Sequence, residues 1–312
     1  MNIVFMGTPE FGATILSELV KQHNVVLVVT QPDKIVGRKR EIEFSAVKKK
    51  ALELNIPVFQ PINIRKEYQY IIENFDFDMI VTSAYGQIIG TKLLFHPKYK
   101  SINVHGSLLP KHRGGAPIQR SIINGDDETG ITIMYMEKGM DSGDILAQKS
   151  IKILDSDNSD SLFIKLADLG ASMINDTIDK LVNGKITPIP QKIEDVTYSY
   201  NISHEDELLD FNNTNIEIFN KIRGLSSNPG AYFKIDNFSI KVYESEKSNE
   251  KTSYQPGEIC DLTKDSFSIA CKDNSVITFK TIKPEGKGIM SVKDFMNGKG
   301  RSLIIRGKKV NS

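Results

Sequence analysis

The chain has 312 residues, long enough for two domains, and its 39% hydrophobic content allows a core in each. Its 40 Lys/Arg against 39 Asp/Glu leave a formal charge of +1, which excludes a whole-protein field that would advertise a nucleic-acid partner and leaves only local clusters to do so. Cys260 and Cys271, with ten residues between them, fit neither a zinc knuckle nor a redox pair, and no apolar run approaches the roughly 20 residues of a membrane helix.

A strand-like run over residues 2–6 follows Met1 at once, leaving no room for a secretion signal or transit peptide, so a cytoplasmic protein is expected. Further strands are expected over residues 25–30, 79–82 and 101–104. Between them lie amphipathic stretches such as 10–21, with Phe11, Ile15, Leu19 and Val20 near one face. This alternation predicts an α/β fold with a mostly parallel sheet. Residues 131–136 and 143–153 read as a hairpin joined through 138–142. A helix over 160–182 then stops at Asn183-Gly184, where glycine can take the left-handed cap. Pro188 and Pro190 stiffen an extended stretch to about residue 206, read as a linker. Beyond it come one helix over 215–224 and short alternating strands, with turn signals at Asp236-Asn237, Pro256-Gly257 and Asp273-Asn274, which suggests a small all-β barrel. The expected division is 1–184, linker 185–206, and 207–312.

Three segments compete as the seat of chemistry. Gly7-Thr8-Pro9-Glu10-Phe11-Gly12 follows the first strand, and Asp33 lies about 20 residues on, as in a dinucleotide fingerprint. The middle glycine is missing, however, and Glu10 would set negative charge beside a pyrophosphate, so a tight strand-to-helix turn is the better reading. The second segment is Asn103-Val104-His105-Gly106-Ser107-Leu108-Leu109-Pro110, followed by Arg113-Gly114-Gly115. Asn103 and His105 lie two apart at a strand end, so an amide donor and a titratable imidazole point the same way. The carboxyl end of a strand in an open α/β sheet is where ligands bind. The third is Met140-Asp141-Ser142-Gly143-Asp144, which alone would read as a turn.

Read together, residues 103–146 resemble the signature region of the folate-dependent formyltransferases. The likeness extends from Phe5-Met6-Gly7-Thr8-Pro9 through Thr30-Gln31-Pro32-Asp33 and Ala84-Tyr85-Gly86 to Lys283-Pro284-Glu285-Gly286-Lys287. The resemblance implies a Rossmann-like sheet domain followed by an OB-like barrel. It further implies transfer of the formyl group of 10-formyltetrahydrofolate to the amino group of methionyl-initiator-tRNA by a monomer. The family's triad maps onto Asn103, His105 and Asp141. Amine attack on a formyl carbon builds negative charge on its oxygen, which Asn103 and His105 would meet with hydrogen bonds. Asp141 would fix the imidazole and relay protons through water. No metal is required.

By the same resemblance the pterin would lie against Ala84, Tyr85, Gly86, Gln87 and Ile88, the loop Ser107, Leu108, Leu109 and Pro110, and Asp141, Ser142 and Gly143. Residues 34–50 carry seven Lys/Arg against two Glu, and Arg38, Lys39 and Arg40 would reach an acceptor stem. Residues 280–312 carry nine against Glu285 and Asp294, and Lys283, Lys287, Arg301 and Arg306 would hold phosphates. Either cluster could equally be a solvated face. Asn201, Phe211 and His112 depart from the family pattern, as does the absence of Trp; these changes bear on tRNA contacts and leave the triad untouched. A sugar-nucleotide N-formyltransferase is the alternative enzyme, sharing triad and donor but with no use for a basic 34–50 loop. A formate-releasing folate hydrolase and a catalytically dead nucleic-acid-binding protein are further readings.

Overall fold

The computed structural model describes residues 1–37 and 40–311. They form two compact units. Met1–Pro117, Glu128–Lys152 and Phe163–Ser199 make the first; Ile118–Asp127, Ile153–Leu162 and Tyr200–Ser312 make the second. Two short segments thus cross the contiguous boundaries expected from the sequence. Residues 185–199, read as linker, belong with the first unit.

The first unit is built on β1 (Asn2–Gly7), β2 (Asn24–Val29), β3 (Lys34–Val36), β4 (Glu41–Glu43), β5 (Val58–Phe59), β6 (Met79–Ser83), β7 (Ser101–His105), β8 (Glu128–Tyr135) and β9 (Ile145–Lys152). Its main sheet runs β5-β2-β1-β6-β7-β8-β9. The first five strands are parallel, and β8 and β9 extend the sheet antiparallel. Ile3, Val4, Phe5 and Met6 are all fully buried. With both faces covered, β1 must be a continuous apolar run, which is how it appears in the sequence. The helix Glu10–Leu19 starts at Pro9, whose carbonyl accepts the N–H groups of Gly12 (2.9 Å) and Ala13 (3.2 Å). Ser45 caps the helix Ala46–Glu53 by accepting from the Lys48 N–H at 3.0 Å.

β3 and β4 stand apart as a two-stranded ribbon with Ile35 opposite Ile42. The sequence reading had a loop here; the short alternation Glu41-Ile42-Glu43 was its only period-two signal. Arg38 and Lys39 lie outside the described residues.

The second unit holds β10 (Tyr232–Ile235), β11 (Phe238–Ser248), β12 (Ile259–Leu262), β13 (Phe267–Ala270), β14 (Val276–Pro284) and β15 (Met290–Ser291). They form an antiparallel sheet ordered β10-β11-β14-β13-β12, with β15 on β14. Asp236 and Asn237 both have positive φ (49° and 63°), the conformation a two-residue hairpin turn needs. Register shifts around Glu244 mark bulges that bend β11, so the expected barrel takes the form of a curled half-barrel. Its core is aromatic: Phe233 and Phe279 stack 5.7 Å apart, and Phe211 and Phe267 meet them at steeper angles. The helix Asn215–Gly224 begins with a Thr214–Glu217 capping box. Near its end buried Arg223 donates to the carbonyls of Leu154 (2.8 Å) and Asp157 (3.0 Å).

Candidate active site

β7 delivers two functional side chains to the carboxyl edge of the sheet. Strand alternation sends buried Val104 to one face and both Asn103 and His105 to the other. Thr82, the register partner of Asn103 on β6, donates its hydroxyl to Asn103 Oδ1 at 2.7 Å. That bond fixes the amide and leaves its NH2 group facing away from Thr82.

His105 is 6% exposed, and its Nε2 lies 3.0 Å from the His112 carbonyl. A carbonyl can only accept, so Nε2 carries the hydrogen and the neutral ring keeps its lone pair on Nδ1. Nδ1 lies 3.8 Å from Asp141 Oδ2, beyond hydrogen-bond length yet close enough for an ion pair once the ring gains a proton. The imidazole is therefore fixed by a backbone carbonyl, where the sequence reading gave that task to Asp141. The carboxylate is in turn held by the Gly114 N–H, which donates to Oδ2 at 2.8 Å. Gly114 has φ 122°, and a Cβ there would meet the Ser199 carbonyl oxygen at 2.6 Å, so only glycine brings its N–H to this point. His112 (φ 61°) is anchored by Ser199 Oγ, 2.7 Å from its Nδ1, and by Thr197 Oγ1, which accepts its N–H at 2.9 Å.

The loop Ser107–Pro110 is pinned from beneath. Thr132 on β8 donates to the Ser107 carbonyl (2.6 Å) and accepts from the Leu109 N–H (3.1 Å), while Gln148 on β9 donates to the Leu109 carbonyl (2.9 Å). Ser107 and Leu109 are buried, so Leu108 and Pro110, both half-buried, are the members of this loop with surface to offer.

Ala84 (φ 48°) and Gly86 (φ 89°) turn the chain at the end of β6. The Tyr85 ring points into the sheet's core, 4% exposed, and its hydroxyl has no partner among the described residues. Burial pushes that phenol well above its ordinary pKa. What Tyr85 presents is its carbonyl, which accepts from Thr8 Oγ1 (2.9 Å) and Gln31 Nε2 (3.1 Å). Gly86, Gln87 and Ile88 line a groove of about 310 Å³ together with Gln31, Ile62, Asn63 and Arg65. The last three were not singled out in the sequence. They follow β5, a two-residue strand too short to reveal that its carboxyl end belongs to the same edge.

On the second unit, Lys283 and Lys287 are exposed and form no ion pair among the described residues, and Arg301 is exposed in the short helix Gly300–Leu303. Arg306 is bound to Asp261 at 2.7 Å. On the ribbon Arg40 is exposed. No helix among the described residues is long and apolar enough to cross a membrane. No group of three or more His, Cys, Asp or Glu side chains among them could hold a metal ion.

An amide, an imidazole and a carboxylate at the edge of an α/β sheet suit a transferase that must steady a developing oxyanion and move a proton. Residues 1–178 match the model of the formyl transferase family, residues 201–300 match that of the formyl transferase C-terminal domain, and the chain belongs to this family. Its branch is that of the methionyl-tRNA formyltransferases. The enzyme of that name from Listeria monocytogenes is 46% identical over 304 residues, 97% of each chain. The one from Staphylococcus aureus is 41% identical over 311 residues, 99% of each. Among solved structures the chain shares its fold with WlaRD, a sugar 3N-formyl transferase crystallised with dTDP and 5-N-formyl-THF (TM-score 0.68, 21% identity, 92% of this chain and 99% of that one). It is equally similar to the N-formyltransferase of Helicobacter canadensis in complex with folinic acid and dTDP-3-aminofucose (TM-score 0.68, 20% identity, 89% and 98%).

Proposed function

We propose that this chain transfers the formyl group of 10-formyltetrahydrofolate to the α-amino group of methionyl-initiator-tRNA, releasing tetrahydrofolate and N-formylmethionyl-tRNA. The observation that carries the chemistry is the approach of Asp141 to the one uncommitted nitrogen of His105 at 3.8 Å, beside an amide whose oxygen is already occupied.

The methionyl nitrogen attacks the formyl carbon, and the carbonyl oxygen gains a negative charge. The free NH2 of Asn103 donates to that oxygen; a donor so placed is worth about 3 kcal/mol of barrier. His105 Nδ1 takes the proton of the attacking amine, and Asp141 steadies the imidazolium it creates. As the bond from the formyl carbon to folate N10 breaks, the same proton returns to N10. His105 and Asp141 act from a nearly dry setting, at 6% and 18% exposure, where their attraction is screened least.

The pterin lies along the main chain of Ala84–Ile88, the loop Ser107–Pro110, and Asp141, Ser142 and Gly143. Arg38, Lys39 and Arg40 meet the acceptor stem, and Lys283, Lys287, Arg301 and Arg306 hold phosphates. Lys283 supports this: it is exposed on β14 and has no ion pair among the described residues, so its charge is available to a phosphate. In this reading residues 1–184 carry the chemistry with support from 185–199, the rest of 185–206 joins the parts, and 207–312 serve the tRNA. The enzyme works in the cytoplasm as a monomer without a metal.

The test is single-turnover transfer from 10-formyltetrahydrofolate to charged initiator tRNA, with a nucleotide-linked amino sugar as rival acceptor. His105→Ala should lower kcat/KM by about 10²–10⁴-fold. Arg38→Ala should weaken use of tRNA and spare folate affinity. Equal turnover of the amino sugar would overturn the acceptor, and a fully active His105→Ala the mechanism.

A further inference from the structure

We infer that Gln191 is a positioning residue for Asp141, acting through the backbone of its loop; the inference rests on the formyl-transfer reading above. Gln191 lies in the stretch after the long helix Ser159–Val182, among residues the sequence presents only as an extended connection. Its amide Nε2 donates to the carbonyls of Asp141 (2.8 Å) and Gly143 (2.7 Å). Its Oε1 accepts from Nε (3.0 Å) and Nη2 (2.7 Å) of Arg113. Two hydrogens and two lone pairs are all a glutamine amide possesses, so every one is committed.

Those bonds tie two loops that also meet at the reacting groups. Arg113 precedes Gly114, whose N–H holds Asp141 Oδ2, and follows His112, whose carbonyl holds His105. Gln191 therefore joins, from behind, the loop that orients the imidazole and the loop that carries the carboxylate. The clamp is itself anchored. Ile189 and Ile145 exchange N–H to carbonyl bonds at 2.8 and 2.9 Å, the Arg113 N–H donates to the Thr197 carbonyl (2.9 Å), and the Ser199 N–H donates to the Arg113 carbonyl (2.7 Å). Asp141 needs such support, because its φ of 45° is an unfavourable conformation for a residue with a side chain. Without the two donors from Gln191 its loop can relax and carry the carboxylate away from His105.

The experiment measures kcat and both KM values for the full-length enzyme and for Gln191→Ala, Gln191→Glu, Asp141→Asn and the Gln191→Ala/Asp141→Asn double variant, with melting curves for each. Gln191→Glu still accepts from Arg113 but cannot donate to the carbonyls, so it removes the clamp while keeping the partner that stabilises the stretch. Both Gln191 variants should lower kcat by ~10–100-fold, the scale of a misplaced reacting group, with KM for folate and tRNA within about threefold. In the Asp141→Asn background the further loss from Gln191→Ala should shrink to about twofold or less, because the residue it positions is already disabled. A merely structural glutamine would multiply its effect unchanged onto Asp141→Asn, and that result overturns the inference. So does wild-type kcat in Gln191→Glu, which leaves the formyl-transfer reading intact; absence of transfer by the wild type would remove that reading first.

Discussion

Adding one carbon at Gly143 should disable the enzyme without touching any reacting group. Gly143 is buried two residues beyond Asp141, and a Cβ built on it would lie 2.0 Å from the Tyr135 carbonyl oxygen and 2.8 Å from its carbonyl carbon. Since Cβ contacts under 3.0 Å essentially never occur, moving from 2.0 to 3.0 Å demands at least 1.0 Å of displacement. β8 has little freedom to give it. Tyr135 is registered opposite Ile102 on β7, and its N–H donates to the Asp144 carbonyl at 3.0 Å. The loop 141–143 must therefore yield, taking the Asp141 carboxylate with it. Overpacking of this kind costs about 1–3 kcal/mol of stability. Misplacing a reacting group by about 1 Å costs ~10²-fold in rate, or about 2.7 kcal/mol of barrier. Gly143→Ala should accordingly lose ~10²-fold in single-turnover transfer at saturating folate and tRNA, with a lowered melting temperature. Wild-type rate together with an unchanged melting curve would refute the reasoning, since it would mean that the loop accommodates the methyl without moving Asp141.

Tyr85→Phe should leave folate KM unchanged and hold or raise the melting temperature, because it removes a buried hydroxyl that has no partner among the described residues; a raised folate KM would show that the hydroxyl reaches the ligand. Thr82→Val removes the donor that fixes the Asn103 amide and should lower kcat, by less than Asn103→Ala does, at about 1 kcal/mol of stability. Equal kcat would show that the amide needs no such orientation. The Lys48 ammonium, hydrogen-bonded to Asp33, holds that carboxyl below its ordinary value of 3.8. A depressed folded-state pKa contributes stability that is present above the unfolded value and lost as pH falls through the folded one. Lys48→Met should thus melt lower than wild type at neutral pH, with the gap closing below about pH 4; a constant gap across that range would exclude the linkage.

Much of the fold was legible because its signals are local. The strands 2–6, 79–82 and 101–104 were placed to within a residue or two, since each is an apolar run bounded by turn formers. The helix Asn215–Gly224 and the Asp236-Asn237 turn were readable from helical periodicity and from residues that tolerate positive φ. The ribbon β3–β4 and the two-residue β5 were not, because such short elements offer too few positions for a period to show. Within the site, Asn103 and His105 stood out as an amide and an imidazole paired at a strand end, and Asp141 only through the family resemblance, whereas the group that fixes the imidazole did not stand out at all. It is the carbonyl of His112, and every residue has a carbonyl. Nor could the sequence show that the Tyr85 ring turns inward, or that the stretch 185–199 is bound to the loops at the sheet edge. That stretch is held by isolated bridges and side-chain bonds, which follow no repeat.

The threading of the second unit decides how the protein can be cut. Ile118–Asp127 and Ile153–Leu162 fold with residues 200–312 although they lie far upstream. A fragment begun at residue 200 would strip Arg223 of the Leu154 and Asp157 carbonyls and of the strip that packs beside it, replacing fixed acceptors with water. The carboxyl-terminal third is consequently not a cassette. Grafting it onto another enzyme, or expressing it alone, requires carrying both upstream strips along, the second of which supplies the acceptors for Arg223.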